Sequence, residues 1–243
     1  MIEVKELRAG FGKKEILRGI DLVIPEKKII AVVGQSGCGK TTFLKSLNRI
    51  LEEEGGYIKG QILLDGENVM KFPKTQLRKR IGIVFQQPIA FPYSIERNLT
   101  YVLKYHYQLN KEQMCEKCVE CIKKARLYEE VKNQMNMSAV KLSGGQKQRL
   151  AIARTLCVEP EVLLLDEPCS ALDMKNTIAI EEMLMELKEQ YTIVIVTHNL
   201  AQAKRIADNV VFMDQGRILE ITEKEQFFTN PVSEQAKEQI KYM

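Results

Sequence analysis

The residues with the clearest chemistry form a glycine-rich segment, GQSGCGKT, at positions 34–41. It matches the spacing G-x-x-x-x-G-K-[ST] and lies between the apolar run IIAVV at 29–33 and a helical-looking stretch. Glycines let backbone N–H groups turn toward phosphate oxygens, Lys40 neutralises the β and γ phosphates, and the Thr41 hydroxyl can ligate Mg²⁺. We therefore predict a nucleotide phosphate loop rather than an ordinary glycine-rich turn. Its residues are Gly34, Gln35, Ser36, Gly37, Cys38, Gly39, Lys40, Thr41 and Thr42.

A pair of acidic residues follows a second apolar run, VLLL at 162–165. Asp166 closes this predicted strand, Glu167 falls on the opposite side of the pleat, and Pro168 ends the hydrogen-bonded ladder. Asp166 can hold Mg²⁺ through water, while Glu167 is free to polarise an attacking water molecule. The alternative is a pair of exposed carboxylates at a strand end, without a catalytic role.

A histidine follows a third apolar run, IVIV at 193–196, after Thr197. All three runs are too short for helices and are typical of buried parallel strands. Because ligands gather beyond the carboxyl ends of such strands, we expect the polar groups that follow them to converge on one site. There His198 would sense or orient the γ-phosphate, although a lone histidine is more often structural.

A second glycine-containing segment, LSGGQ at 142–146, precedes a stretch with helical periodicity. Ser143 at the N-cap and the free N–H groups of the first turn form an anion site that lacks the phosphate-loop lysine. From the helix-start pattern alone, an N-capped helix without any ligand is the better explanation of the segment.

Six motifs in a fixed order together resemble the ATP-binding subunit of an ABC transporter. They are GQSGCGKT, FQQ at 85–87, LSGGQ, LLLDEP, SALD at 170–173 and His198, and they extend over nearly the whole chain. The resemblance implies an α/β fold with a P-loop NTPase core and a mainly parallel sheet, an antiparallel β subdomain and an inserted helical subdomain. We expect the core at about 1–85 and 160–220, the helical subdomain at about 86–155, and a tail at about 221–243.

The resemblance also implies how the two glycine loops work together. In this family two subunits pack head to tail in the ATP-bound homodimer, and the signature motif of one contacts the γ-phosphate of ATP held by the other. Carried over to this chain, the signature residues are Ser143, Gly144, Gly145 and Gln146. Gln86 resembles the residue that touches Mg²⁺ and the attacking water. Phe11 occupies the place of the aromatic residue that stacks on adenine, with a core phenylalanine as the alternative.

The implied cofactors are ATP and Mg²⁺. Lys40, Gln86, Glu167 and His198 are the expected catalytic residues, and Thr41, Gln86 and Asp166 the expected metal ligands. Catalysis would be mainly positioning and charge stabilisation of the γ-phosphoryl group.

Smaller features favour the phosphate-importer branch of the family. They are SLNRI, FPYSIERN, CSALD, VTHNLAQAKRIAD and FFTNP, whereas Met174 stands where that branch usually has proline. The implied partners are two membrane-spanning permease subunits, for which Phe91 and Tyr93 are plausible contacts, and an extracytoplasmic solute-binding protein. The alternatives are an amino-acid or other small-solute importer, and a non-transport regulator of the cell-division type.

Composition is compatible with this interpretation. The 243 residues are 45% hydrophobic and 28% charged, with a net charge of +4, as in ordinary globular proteins. No apolar run reaches the 18 or so residues that span a bilayer, and the N-terminus lacks a signal-peptide pattern. We expect a peripheral protein on the cytoplasmic face of the cell membrane. No nucleic-acid partner is expected, because a DNA-acting ABC ATPase needs a long coiled coil between the two glycine loops.

Three of the six cysteines, Cys115, Cys118 and Cys121, have a spacing that resembles an iron–sulfur motif. Ala125 stands where the fourth ligand would be, so a helical stripe that faces the protein interior is the better interpretation.

Overall fold

Two β-sheets and a set of helices make up the chain, for which the computed structural model describes residues 1–241. The strands are β1 (Ile2–Phe11), β2 (Lys14–Ile24), β3 (Ile29–Val33), β4 (Gly56–Leu64), β5 (Glu67–Asn68), β6 (Ile81–Val84), β7 (Val162–Asp166), β8 (Thr192–Val196), β9 (Asn209–Asp214) and β10 (Arg217–Glu223). The helices are α1 (Lys40–Leu47), α2 (Lys74–Arg80), α3 (Ile95–His106), α4 (Lys111–Lys124), α5 (Tyr128–Val131), α6 (Gly144–Leu156), α7 (Met174–Leu187), α8 (Leu200–Ile206), α9 (Lys224–Thr229) and α10 (Glu234–Lys241).

The larger sheet has six strands in the order β10, β9, β3, β8, β7, β6. All neighbours are parallel except β10, which pairs antiparallel with β9. Strands β3, β7 and β8 are buried along their full length, because the sheet is covered on both faces. The three buried parallel strands predicted from the sequence are therefore confirmed.

Alternate residues of these strands belong to two different hydrophobic cores. Ile29, Ala31 and Val33 pack against helices α3 to α8, whereas Ile30 and Val32 pack against α1 and the smaller sheet. The period of two along a strand produces this division. Helices on one face and an antiparallel sheet on the other hold the carboxyl ends of the parallel strands at one common edge.

The smaller sheet is antiparallel, in the order β2, β1, β4, β5. Its long strands place apolar residues such as Leu7, Ile20 and Ile62 in the second core. Together with the parallel sheet and the helices from Ile95 to Leu156, it gives the predicted fold class, an α/β ATPase core with an antiparallel β subdomain and inserted helices.

The cysteine stripe lies on α4 as predicted, but only part of it faces inward. Cys118 and Cys121 are buried, whereas Cys115 is exposed. The expectation that all three face the interior is therefore wrong. Residues three apart on a helix differ by about 60° in direction, so the ends of such a stripe lie about 120° apart and one can leave the core.

The predicted tail at about 221–243 begins with the end of β10 and continues as two short helices, α9 and α10; residues 242–243 lie outside the described part of the chain. Phe227 of α9 is fully buried against Phe212 of β9, with ring centroids 6.0 Å apart. The buried carboxylate of Glu220 accepts hydrogen bonds from the backbone of Val232 and Ser233 and so fixes the start of α10. Within residues 1–241, none of the helices has the length and apolarity to cross a bilayer.

Candidate functional site

The glycine-rich loop connects the end of β3 to the start of α1. Gly34 has φ +148°, and a Cβ there would lie 2.0 Å from the carbonyl oxygen of Met213. Gly39, at φ +110°, is the N-cap of α1 and carries no side-chain cap. The first N–H groups of α1 are therefore available to an anion, beside the positive end of the helix dipole.

The side chain of Lys40 folds back across this loop. Its Nζ donates to the carbonyl oxygens of Gly34, at 2.8 Å, and Gln35, at 2.9 Å, and the residue is only 5% exposed. These bonds hold the ammonium group over the space that the loop encloses. A buried positive charge without a paired carboxylate in residues 1–241 is suited to an incoming anion.

Thr41 and Asp166 meet at the floor of the site. The Thr41 hydroxyl donates to Asp166 Oδ1 at 3.0 Å, although the residues are 125 apart in the sequence. Burial raises the pKa of Asp166, and the hydrogen bond from Thr41 opposes that effect. A hydroxyl and a buried carboxylate at this separation are oxygen ligands of the kind that Mg²⁺ prefers, directly or through water.

Glu167 has an unusual backbone conformation. Its φ is +43°, in the left-handed region that residues other than glycine rarely adopt, and its N–H donates to Val196 O at 2.9 Å. Such strain costs roughly 1–3 kcal/mol and persists where the surroundings enforce it. The conformation turns the Glu167 side chain away from the sheet and toward the phosphate loop, whose cavity it lines.

Two further side chains contact the Glu167 carboxylate. Oε2 accepts a hydrogen bond from Gln86 Nε2 at 3.2 Å and lies 3.0 Å from His198 Nδ1. Gln86 follows β6 and His198 follows β8, the strands next to β7 on its two sides. Parallel strand order thus brings together three side chains that are up to 112 residues apart in the sequence, since 198 − 86 = 112.

A cavity of about 630 Å³ opens above the glycine loop. Its lining includes Ser36, Gly37, Cys38, Gly39, Lys40, Thr41, Thr42 and Glu167, which the sequence singled out, and Lys14, Glu15, Ile16, Arg18, Gln215 and Gly216, which it did not. Gln86 and Asp166 lie beside this cavity through their contacts with Glu167 and Thr41.

The additional residues come from two hairpins that close one side of the cavity. Gln215 and Gly216, both at positive φ, form the two-residue turn between β9 and β10. Gly216 N donates to Cys38 O and Gly216 O accepts from Arg18 N, which fixes β2 against the loop. A Cβ at Gly216 would lie 1.8 Å from Ile16 O. The sequence DQGR between apolar runs was the available signal for this turn.

Some predicted nucleotide contacts lie outside the main cavity. Phe11, at the end of β1, is 36% exposed and is not part of the lining. Gly34, Gln35 and His198 line an adjoining cavity of about 380 Å³, together with Gln239 of α10. The main cavity has its own apolar surface for a nucleotide base. It consists of the side chain of Ile16 and the aliphatic parts of Lys14 and Arg18.

The signature segment is separate from this cavity, and none of residues 143–146 lines it in the described part of the chain. Ser143 caps α6: its Oγ accepts from Gln146 N, and Gln146 Oε1 accepts from Ser143 N. Gln146 Nε2 also donates to Glu130, which pairs with Arg149 at 2.8 Å. The predicted N-cap is confirmed, and the capped end is exposed at Ser143 and Gly144.

Taken together, the site combines a phosphate-binding loop with a held lysine, a hydroxyl–carboxylate pair, and a carboxylate between a glutamine and a histidine. The first can bind a polyphosphate, the second a divalent cation, and the third a water molecule that attacks phosphorus. In phosphoryl transfer these three functions act on one γ-phosphoryl group.

Comparisons with known proteins agree with this geometry. The ABC transporter family profile matches residues 17–170. The phosphate import ATP-binding protein PstB 2 of Listeria monocytogenes is 44% identical over 239 residues, which are 97% of this chain and 88% of that protein. CbiO1 of Clostridium perfringens, part of the transporter complex CbiONQ, superposes with TM-score 0.83 and 29% identity over 94% of this chain and 90% of its own.

A dimeric structure of the ATP-binding cassette MJ0796 bound to ADP and Pi superposes with TM-score 0.78 and 28% identity, covering 92% of this chain and 99% of its own. The profile match extends over more than half of the chain, and both the sequence and the fold comparisons give the same assignment. The chain therefore belongs to the ABC transporter family, as one of its ATP-binding proteins that power transport.

Proposed function

We propose that this protein hydrolyses ATP to power the import of inorganic phosphate through separate membrane-spanning subunits. The observation that carries the proposal is the 44% identity to a phosphate import ATP-binding protein across 97% of this chain. The proposal places the protein on the cytoplasmic face of the membrane, bound to two permease subunits that receive phosphate from an extracytoplasmic binding protein.

In the proposed mechanism, the loop at 34–42 and Lys40 bind the phosphates of ATP. Thr41, Asp166 and Gln86 would hold Mg²⁺, which would supply charge neutralisation to the phosphates. Glu167 accepts the proton of the attacking water. His198, whose Nδ1 lies 3.0 Å from the Glu167 carboxylate, orients the γ-phosphate. In support, these groups follow four adjacent strands and already contact one another.

The proposal requires a second copy of the chain. The capped end of α6, with Ser143, Gly144 and Gly145, would contact the γ-phosphate of ATP held by the partner in the closed homodimer. The exposure of Ser143 and Gly144, and their separation from the cavity of their own chain, support this role. Each closed dimer would then hold two ATP molecules at two shared sites.

The membrane subunits would dock at a cleft between β6 and the inserted helices. This cleft, about 270 Å³, is lined by aromatic and aliphatic side chains that include Phe91 and Tyr101. Tyr93 extends the aromatic surface, with its ring centroid 6.5 Å from that of Tyr101. The segment that carries Phe91 and Tyr93 follows Gln86 directly, so movement at the cleft would reach the catalytic site.

The charges of this cleft indicate which charge the docking segment of the membrane subunits would carry. Its basic lining residues are Arg78, His106 and Arg154, and no acidic residue of the described chain lines it. Burial and the nearby Lys79 lower the pKa of His106, so the two arginines carry the positive charge of the cleft. Arg78 pairs with Glu53 at 2.7 Å, but the Arg154 guanidinium lies over the Phe91 ring at 4.2 Å and forms no ion pair within residues 1–241. A helical segment with an apolar face and a carboxylate near Arg154 would complement it.

Reversing the charge of Arg154 tests the docking surface. We expect Arg154→Glu to abolish co-purification of the membrane subunits with the tagged chain from native membranes, and Arg154→Gln to weaken it. In both variants the carboxylate of the docking segment would be buried without its positively charged partner. Arg217→Glu, on β10 at the opposite edge of the sheet, is the matched control and should co-purify normally. Normal co-purification of a folded Arg154→Glu variant would exclude this cleft as the docking site.

The thiol of Cys38 provides a test of the nucleotide pocket. Cys38 lines the cavity but is 6% exposed, and burial raises its pKa while the nearby Lys40 opposes this. A raised pKa lowers the reactive thiolate fraction at neutral pH. N-ethylmaleimide should therefore modify the exposed Cys115 first, and modification of Cys38 should accelerate as the pH rises toward the thiol pKa.

Bound nucleotide adds a second condition to this experiment. MgATP should slow the modification of Cys38 at least tenfold and leave that of Cys115 unchanged, as measured by peptide mass spectrometry. The Cys38→Ser variant cannot be modified at this position, so it shows whether modification of the other cysteines weakens ATP binding. Equal rates at Cys38 with and without MgATP would place the nucleotide somewhere other than this cavity.

The transported solute is tested by reconstitution. The tagged chain, purified with its membrane subunits and placed in proteoliposomes with the binding protein, should hydrolyse ATP faster when inorganic phosphate is added. Sulfate and amino acids are the controls. Stimulation by an amino acid would indicate a different importer, and co-purification with a cell-division membrane protein alone would indicate a regulator.

A further inference from the structure

Ser170, the first residue of the SALD segment, has no catalytic role among the expectations above. It nevertheless contacts two of the expected catalytic residues, Gln86 and Glu167. Ser170 Oγ accepts a hydrogen bond from Gln86 Nε2 at 3.2 Å and donates to Glu167 O at 3.1 Å. The same Gln86 nitrogen donates to Glu167 Oε2 at 3.2 Å. We propose that Ser170 is a positioning residue for ATP hydrolysis, which acts by holding the Gln86 carboxamide beside Glu167.

The direction of the Ser170 hydroxyl is set by its own turn. Ser170 N also donates to Glu167 O, at 3.2 Å, so residues 167–170 form a turn that starts at the strained Glu167. Because the hydroxyl hydrogen points to Glu167 O, the oxygen lone pairs face Gln86. The serine therefore fixes an acceptor for Gln86 that does not depend on the Glu167 side chain.

The residue before Ser170 anchors the turn in the protein interior. The Cys169 side chain packs against the hydrophobic core to which Leu200 and Ala203 of α8 belong, and α8 is the helix that begins two residues after His198. Gln202 of α8 is 2% exposed and donates to Glu181, whose carboxylate binds Arg205 through two contacts of 2.7 Å. The turn is thus anchored to the helix behind His198 on one side and holds Gln86 on the other.

This arrangement matters when the Glu167 carboxylate binds the attacking water. Gln86 then loses its charged acceptor, and a carboxamide held only by Glu167 would be free to move out of the site. Ser170 supplies the second acceptor and retains Gln86 next to the metal and the water. Without the hydroxyl, a fraction of the nucleotide-bound molecules would lack a positioned Gln86, so kcat should fall while the KM for ATP changes little.

The test is a double-mutant cycle on steady-state ATP hydrolysis by the full chain with its membrane subunits. The variants are Ser170→Ala, Gln86→Ala and the pair, with Ser170→Thr as the conservative variant. We expect Ser170→Ala to lower kcat about three- to tenfold, as for the loss of one hydrogen bond, with KM for ATP within about twofold. Ser170→Thr should recover most of the rate, because it restores the hydroxyl.

The cycle separates positioning from a purely structural role. If Ser170 acts through Gln86, Ser170→Ala should have no further effect in the Gln86→Ala background. Additive losses, or a Thr variant as slow as the Ala variant, would show that the serine merely supports the turn and would overturn the inference.

The inference rests on the proposed ATPase activity, and the wild-type rate tests that activity separately. A wild-type complex without turnover contradicts the proposed function itself, whereas turnover with an additive cycle contradicts only the role of Ser170.

Discussion

The Glu167→Gln variant should bind ATP with unchanged affinity and lose ATP turnover by about 10²- to 10⁴-fold, the range that one general base contributes. The carboxylate faces the phosphate cavity and carries the negative charge that a proton acceptor needs, while glutamine keeps its size but not its basicity. The neighbouring contacts can persist, because glutamine still offers an oxygen to Gln86 and a polar group to His198.

A variant that binds ATP but does not cleave it should also remain in the closed dimer. The measurement is size-exclusion chromatography with MgATP, in which Glu167→Gln should elute as a dimer and the wild-type chain as a monomer after hydrolysis. Adding EDTA should return the variant to the monomer position, which controls for aggregation. Turnover at a normal rate in Glu167→Gln would reassign the base, with His198 as the next candidate.

The parallel core could be predicted from the sequence because its signals are local. The runs at 29–33, 162–165 and 193–196 are short, rich in Val, Ile and Leu, and apolar on both faces, as expected of a buried parallel strand. A polar residue directly after each run then predicts a common site, since parallel strands end at one edge. The structure places Thr41 and Asp166 3.0 Å apart at that edge.

The parts that the sequence did not predict depend on contacts between distant segments. Nothing near Gln215 and Gly216 in the sequence indicates that their turn packs against Cys38, because that contact joins β9 and β10 to a loop about 180 residues earlier. The positive φ of Glu167 is likewise imposed by the neighbouring strand through Val196. The second hydrogen bond of Gln86, to Ser170, depends on the same turn.

Phe11 illustrates a role that residue type alone does not define. The resemblance to the family assigns it to adenine stacking, but the main cavity is lined by Ile16, Lys14 and Arg18 of β2 rather than by the end of β1. The two strands are joined by a two-residue turn, with Phe11 paired to Lys14. The stacking role of Phe11 remains a prediction, and Phe11→Ala against Ile16→Ala in an ATP-binding measurement would separate the two surfaces.

The Lys40→Ala variant should lose ATP affinity itself, unlike Glu167→Gln. A charged hydrogen-bond donor to phosphate contributes roughly 1.5–3 kcal/mol, which corresponds to a weakening of about 10- to 100-fold in Kd. The loss should reach the upper part of this range, because Lys40 also donates to Gly34 O and Gln35 O and so holds the loop in its binding shape.

The Kd for ATP is measured by isothermal titration with Mg²⁺ present, and thermal unfolding without nucleotide confirms that the variant is folded. Lys111→Ala, at the exposed first position of α4, is the matched control and should bind ATP within about twofold of wild type. An unchanged Kd in Lys40→Ala would mean that the triphosphate does not lie in the loop at 34–41, and the assignment of Thr41, Asp166 and Glu167 to the same nucleotide would fail with it.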